Sequence, residues 1–538
     1  LMGFRYCSGD ILPARSNSCP EPFMTDSYDE IPYQSIPFTD SDPENLAALG
    51  QMFGLDAPDP ARARVLELGC ASGGNLVPMA FRLPEGRFLG VELAARQVAD
   101  GQRLLAELGL DNIRIEQGDI MELDEGIGEF DYIITHGVYS WVPPAVQARI
   151  LDLCARHLSP EGIAYISYNT WPGWRMRGVI RDLLLYHTRD IQDPMQKLDK
   201  AIAFLAGFEP VVTQVETEAA RFLREDLQRL RTSHPSYLYH EYLEAWNQPQ
   251  FVSEFIRTVE GHGLQYMCDA DLKSMFPSVL GEQAESWLEQ FETLAEQEQY
   301  LDYLGNRCFR QSLLCRAGAP LSHDLDIGRL RTQSFFANLD APAKVNLRKA
   351  SSEAFIRAGK TEVQVRHPLA KAALLELTAC YPDAVPFPQL AEAAAARLRA
   401  AGNDRVAEDV NGLLSELFIL FTHQAVGMTP LPRRHSRGDA ERPRAHHLAR
   451  TQAAQGIGHL ATARHSTILL DDFSVRLVSY LDGTRTVPEL IALLTQDIRA
   501  QLLILPNLKP TTPEKLQGQV GANVKRFLGL FARQGILV

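Results

Sequence analysis

None of the eight cysteines is spaced as a C-x-x-C pair, which argues against a zinc knuckle or a dithiol redox motif. The thiols (Cys7, Cys19, Cys70, Cys154, Cys268, Cys308, Cys315 and Cys380) are scattered, several within apolar strand or helix patterns, as expected of reduced cysteines in a cytoplasmic protein. No apolar run reaches the roughly 18 residues that span a bilayer, so membrane insertion is not expected. The first 24 residues lack a basic start followed by an apolar core, and read as a flexible extension rather than a secretory signal. No internal repeat is evident. Positive charge is scarce in the front: residues 1–320 hold 26 Lys and Arg against 47 Asp and Glu, a net −21, and the remainder holds 27 against 20, a net +7. That balance argues against general binding to a phosphate backbone. It would tolerate or attract a basic substrate segment, although a merely solvated surface is the simpler explanation.

What is present is a glycine-rich turn in the right company. Val65-Leu66-Glu67-Leu68-Gly69-Cys70-Ala71-Ser72-Gly73-Gly74-Asn75 reads as a buried strand ending in a tight turn and a helix start. The acid at Glu67 and the spacing Gly69-x-x-x-Gly73-Gly74 depart from the dinucleotide fingerprint G-x-G-x-x-G. Glycines let the backbone turn and approach a ligand, and free amides at a helix start suit a carboxylate. The best match is a pocket for S-adenosyl-L-methionine. Three further strand ends agree. Phe88 to Glu92 ends in Glu92-Leu93, 23 residues after Gly69, where an acid can take both ribose hydroxyls. Ile113 to Gln117 runs into Gly118-Asp119-Ile120, placing an acid near the adenine amino group, and Phe130 to Ile134 opens into Thr135-His136-Gly137.

At 538 residues the chain is too long for one core, and two to four domains are expected. Strand and helix patterns alternate from Arg64 to Tyr168, the signature of a parallel sheet with crossover helices. A helical stretch from Met195 to Leu230 interrupts them. Strand candidates then return at Gly263 to Met267 and Phe309 to Cys315, with helices at Phe251 to Val259 and Glu289 to Tyr303 before them. These late strands are expected to complete the first sheet, making Met195 to Asn247 a helical insertion over the site. The resulting division is a 1–24 extension, a 25–190 cofactor domain, and a 191–320 helical regulatory or lid region carrying the late strands. A helix-rich 321–432 unit with one hairpin around Ala358-Gly359-Lys360 follows, then a 433–464 basic linker and a small 465–538 helical domain. The linker reading rests on Arg433, Arg434, Arg437, Arg442, Arg444 and Arg450 with His435, His446 and His447, punctuated by proline, glycine and serine.

These residues resemble the bacterial class I methyltransferases that carry a methyltransferase regulatory domain, typified by rickettsial protein-lysine methyltransferases. The matching pieces are Ser27-Tyr28-Asp29-Glu30-Ile31-Pro32-Tyr33, Glu67 to Ala80, His136 to Pro143, Ser167 to Trp174, His240-Glu241-Tyr242-Leu243, Gly263 to Tyr266 and Phe309-Arg310-Gln311. The pattern departs at Ser41-Asp42-Pro43, where relatives carry Thr-His-Pro. The resemblance implies an α/β, Rossmann-like class I methyltransferase sheet, with the helical insertion described above. Mostly helical C-terminal domains follow, and the helix-rich 321–432 pattern with its one hairpin is compatible with a winged-helix-like unit, here a packing domain rather than a DNA reader. Strand ends and resemblance together nominate Tyr33, Glu67, Gly69, Cys70, Ala71, Asn75, Glu92, Leu93, Asp119, Ile120 and Thr135 for cofactor binding, with no metal site.

Methyl transfer is an in-line displacement in which alignment and a dry pocket matter most. A lysine acceptor must first lose its proton, a cost of roughly 4 kcal/mol near neutral pH. Tyr139, Trp141, Tyr168, Trp171 and Trp174 follow the fourth and fifth strands and could form a desolvating wall; for Trp171 and Trp174, hinge packing explains the pattern as well. His136 could accept a proton, or simply hydrogen-bond at its strand end. His136, Tyr139 and Tyr168 are therefore the expected catalytic residues. The D-P-P-Y tetrad of nucleobase amino-methylation is absent after Ile134, so no nucleic-acid substrate is expected. Three classes stand in order: a protein-lysine methyltransferase, a methyltransferase of a small molecule or biosynthetic peptide, and a cofactor-binding module or nicotinamide enzyme with a similar sheet. A protein or peptide acceptor is the expected partner, and a homodimer is compatible with the sequence.

Overall fold

Seven strands gather in one sheet whose central members are apolar and buried on both faces, with the edge strand Ile113–Gln117 half exposed. In β1 (Arg64–Leu68) four of the five residues are inaccessible, and β2 (Arg87–Glu92) and β4 (Phe130–Thr135) are nearly as dry. Strands of this kind need helices on either side, which is what parallel crossovers supply. A computed structural model describes residues 23–357, 361–435, 441–504 and 512–538. Most of the expected N-terminal extension, the tip of the 321–432 hairpin and Arg437 lie outside these described residues.

With β3 (Ile113–Gln117), β5 (Leu158–Asn169), β6 (Leu264–Asp269) and β7 (Phe309–Arg316), the strand order is β3-β2-β1-β4-β5-β7-β6. The first five run parallel, and β7 enters antiparallel between β5 and β6. The late strands thus sit in the same sheet as the glycine-turn strand. The sheet reverses direction of winding at β1 and β4, so the carboxyl ends of these strands form the crevice where open sheets bind ligands.

One face is covered by helices Pro144–His157 and Val252–Gly261. The other is covered by Pro43–Met52, Leu76–Arg82 and Ala95–Leu108, and its core continues without a break into Leu330, Phe335, Leu374 and Leu417. The 321–432 unit therefore shares a core with the sheet. Helices Gly173–His187, Pro194–Gln214, Glu218–Thr232 and Pro235–Tyr242 form a separate cluster that includes Ile31. The C-terminal residues hold a fourth core around Phe473, Leu490 and Phe531.

Two expectations are corrected. The single helix Glu289 to Tyr303 is instead Glu282–Leu288 and Leu294–Gly305, because Thr293 forms a capping box with Glu296 and starts a new helix. The 433–464 stretch is not a plain linker. It contains helix His447–Ala454, and two of its basic groups are docked: Arg433 pairs with Glu44 at 3.2 Å, and buried Arg464 donates through Nε to the Pro382 carbonyl at 2.7 Å. Arg82 pairs with the same Glu44 and with Asp42, so Glu44 is shared by cations from both halves of the chain.

Candidate active site

The glycine turn is held from three sides. Gly69, Gly73 and, unusually for a residue with a side chain, Ala71 adopt left-handed backbone (φ 72°, 79° and 49°). A Cβ on Gly74 would lie 2.2 Å from the Ser35 carbonyl, and the Gly74 N–H donates to Ser35 Oγ at 2.7 Å. The segment from Tyr33 to Ser41 therefore lies directly against the turn. Ser41, in the departing loop, donates to the Phe38 carbonyl, and Asp42 forms a bidentate pair with Arg82.

Glu67 stands at the end of β1, 3% exposed. Its Oε1 accepts from Asn75 Nδ2 at 2.8 Å, while Oε2 is buried with no hydrogen bond among the described residues. Burial pushes this carboxyl up to about 8; Asn75 opposes the rise and the charge of Glu92 adds to it. A buried carboxylate oxygen without a donor is costly and calls for a cation or donor partner, such as the ammonium of an amino-acid ligand. At the end of β2, Glu92 accepts from Ala71 N–H at 2.8 Å through Oε2 and from Ala94 N–H at 2.9 Å through Oε1. Each oxygen keeps a lone pair for a hydroxyl. Asp119 accepts from Met121 N–H through Oδ1, beside half-buried Ile120 and exposed Leu93. Buried Thr135 has an unpartnered hydroxyl, and Cys70 is a buried thiol packed under Gly90. Tyr33 stacks obliquely near His240 of helix Pro235–Tyr242, its centroid 5.6 Å away. The nominated residues thus fit an amino-acid end, a ribose and a base laid across β1, β2 and β3.

Glu67 makes the cofactor-free protein sensitive to pH. Its folded value lies above its ordinary 4.5, so the native state keeps the proton between about 4.5 and 8 while the unfolded chain releases it. The stability it contributes is full below that window and falls through it, by about 1.4 kcal/mol per pH unit. Glu67→Gln should therefore gain in thermal midpoint over the wild type as pH rises from about 5 to about 8. The same variant should bind S-adenosylmethionine more weakly. A constant gap across that range would show that Glu67 is not held neutral.

The aromatic residues divide by strand parity, since side chains alternate between sheet faces. Tyr168 shares its face with Ala164 and Ile166; it is 1% exposed, stacks on Phe255 at 4.2 Å, and its hydroxyl meets Ser312 Oγ at 3.2 Å. Tyr139, also 1% exposed, meets Phe255 and Tyr168 edge-on. Both belong to the core on the Phe255 side of the sheet. Trp174 is buried against Trp141 and Tyr242, as packing rather than pocket wall, and Trp171 lies under the Arg175 guanidinium.

The opposite parity contains what the sequence reading missed. His136 stacks between Phe38 (3.6 Å) and Tyr165 (5.8 Å), with Phe309 edge-on at 6.1 Å. Gln311 Nε2 donates to Tyr165 Oη at 2.8 Å and to Asp40 Oδ2 at 3.2 Å. The Tyr165 hydroxyl also lies 2.8 Å from His136 Nδ1, in hydrogen-bond contact. Burial pushes His136 down to about 3. The imidazole is thus neutral, with Nδ1 engaged by Tyr165, which suits an orienting role. Asp40 is pushed up by burial, with Asp271 and Asp269 adding to the effect and Gln311 opposing it. Counting Tyr165 as every second residue from Ile163 along β5 would have separated it from Tyr168.

Among the described residues no helix is long and apolar enough to cross a membrane.

Comparison with known proteins agrees with this geometry. A family model described as "Methyltransferase domain" matches residues 65–162, "Predicted methyltransferase regulatory domain" matches 234–316, and "PKMT, C-terminal winged helix domain" matches 441–536. The winged-helix assignment therefore falls on the C-terminal residues, not on the 321–432 unit where the hairpin pattern had suggested it. An uncharacterized protein of Rickettsia prowazekii is 31% identical over 463 residues, covering 85% of this chain and 83% of its own length. A second from the same organism is 37% identical over 234 residues, 44% of this chain and 94% of its own. The structure of PKMT2 from Rickettsia typhi, solved also in complex with AdoHcy, superposes with a TM-score of 0.84 at 27% identity, covering 94% of this chain and all of that one. With the acids of β1, β2 and β3 placed as they are, the chain belongs to the S-adenosylmethionine-dependent methyltransferases that combine a regulatory domain with a PKMT-type winged-helix domain.

Proposed function

We propose that the methyl acceptor is the ε-amine of a lysine presented by a protein or peptide. The observation that carries this reading is a cluster beside the carboxyl end of β4, where the rings of Phe38, His136, Tyr165 and Phe309 pack around a hydrogen-bond chain that runs from His136 through Tyr165 and Gln311 to the Asp40 carboxylate. S-adenosylmethionine, when bound, supplies a methyl group activated by its sulfonium. Glu67, Glu92 and Asp119 hold it; the remaining tasks fall to this cluster. Aromatic walls strip water from an entering amine and favour its neutral form. Asp40 accepts an N–H of that amine, orienting its lone pair, and with burial raising its affinity for protons it is the carboxylate suited to take the departing one. His136 and Gln311 hold Tyr165 and Asp40 in place. The rickettsial PKMT relatives and the acidic front half, which favours basic segments, support the same acceptor.

Asp40→Asn keeps the Gln311 contact and removes the charge. With a lysine-bearing acceptor, turnover should fall roughly 10- to 100-fold, while calorimetric affinity for S-adenosylmethionine stays near that of the wild type. Turnover by the wild type should rise with pH as the acceptor amine deprotonates. Tyr168→Phe, in the core, should leave turnover little changed. An Asp40→Asn enzyme as fast as the wild type would remove this cluster from the mechanism.

A further inference from the structure

The C-terminal module reaches the cofactor turn through one side chain. A hairpin of His459–Ala461 and Thr467–Leu469 carries His465 at its turn, fully buried and at φ 48°. A histidine in left-handed backbone is held there by its contacts. Its carbonyl accepts from Thr39 Oγ1 at 2.9 Å, and its Nε2 lies 2.8 Å from Asn75 Oδ1. The proton's position follows from the backbone: Phe38 N–H donates to Asn75 Oδ1 at 2.9 Å, so that atom is an acceptor and His465 Nε2 is a donor. Burial, reinforced by Arg82, keeps the imidazole neutral. Asn75 Nδ2 then faces the other way, donating to Glu67 Oε1 at 2.8 Å and Ser41 Oγ at 3.0 Å. The chain His465–Asn75–Glu67 thus joins residues 390 and 398 positions apart and ends on the carboxyl group whose second oxygen has no hydrogen bond among the described residues.

We propose that His465 is a positioning residue for the cofactor site: by donating to Asn75 it sets the amide that orients Glu67, and so ties S-adenosylmethionine affinity to docking of the C-terminal module. The methyltransferase family match ends at residue 162 and the winged-helix match begins at 441, so the site is completed from outside the domain that names it. The coupling concerns the cofactor alone and holds whatever the acceptor.

Titration calorimetry of the full chain with S-adenosylmethionine tests it. His465→Ala should raise Kd roughly tenfold, the scale of one hydrogen bond in a charged network. His465→Asn, which tolerates left-handed backbone but cannot reach with its amide, should do the same and serves if the alanine variant does not fold. His465→Gln places an N–H near the imidazole Nε2 and should restore Kd to within about threefold of the wild type. In a Glu67→Gln background the His465→Asn penalty should vanish, since the two act in series. Wild-type affinity in His465→Asn, no rescue by glutamine, or an undiminished penalty in the double variant would each overturn the proposal.

Discussion

Glu92→Ala should weaken S-adenosylmethionine binding by roughly 10- to 100-fold, the range expected when a charged hydrogen-bonding partner is lost from a closed site. The size comes from two sources. The carboxylate is the acceptor suited to the ribose hydroxyls, and the same oxygens now anchor Ala71 N–H and Ala94 N–H. Ala71 sits at φ 49°, so the turn loses its tether where its backbone is least relaxed. Asp119→Ala should weaken binding less, because the expected contact of Asp119 is with the base alone and its structural bond is a local one to Met121 N–H. Calorimetry on folded protein decides both. Equal affinities for Glu92→Ala and the wild type would detach the end of β2 from the cofactor.

The largest effect on folding is expected at Arg310, in β7. Its guanidinium is wholly buried and donates to Asp302 at 2.8 to 3.1 Å and to Glu298 Oε2 at 2.8 Å, with Asp269 Oδ2 at 3.6 Å. Burial drives Glu298 and Asp302 upward, and Arg310 is the first cation holding them down. Arg307 is the second cation nearby, 3.3 Å from Asp302 and 3.5 Å from Asp269. Arg310→Met would leave two buried carboxylates short of a partner, a loss of about 3–5 kcal/mol. The loss would reach the site, because Gln311 follows directly in the strand and holds Tyr165 and Asp40. Denaturant unfolding of Arg310→Met should show that loss; a change under about 1 kcal/mol would mean the cluster is dispensable, as exposed ion pairs are.

Much of the architecture was legible because burial leaves a periodic mark. Continuous apolar strands bounded by Glu67, Glu92 and Asp119 announced a parallel sheet with ligand-facing ends, and the helix-then-strand order near Val252 and Leu264 announced its late members. What escaped was decided by geometry finer than pattern. Tyr165 and Tyr168 look equivalent as aromatic residues after an apolar run, but an odd separation of three puts them on opposite faces of the strand. Arg433 looked like linker charge because its partner, Glu44, is remote in sequence. His465 lies near the end of the chain and offers no motif at all. Its meaning comes only from Asn75 on the other side of the contact.

The proposed acceptor, a lysine amine on a protein, is tested most directly by incubating the full chain and methyl-labelled S-adenosylmethionine with native lysate, then locating the label by mass spectrometry. Label is expected on lysine side chains of a restricted set of proteins, lost with Glu92→Ala and much reduced with Asp40→Asn. Label confined to small molecules, with both variants behaving as described toward the cofactor, would keep the cofactor site and contradict the acceptor.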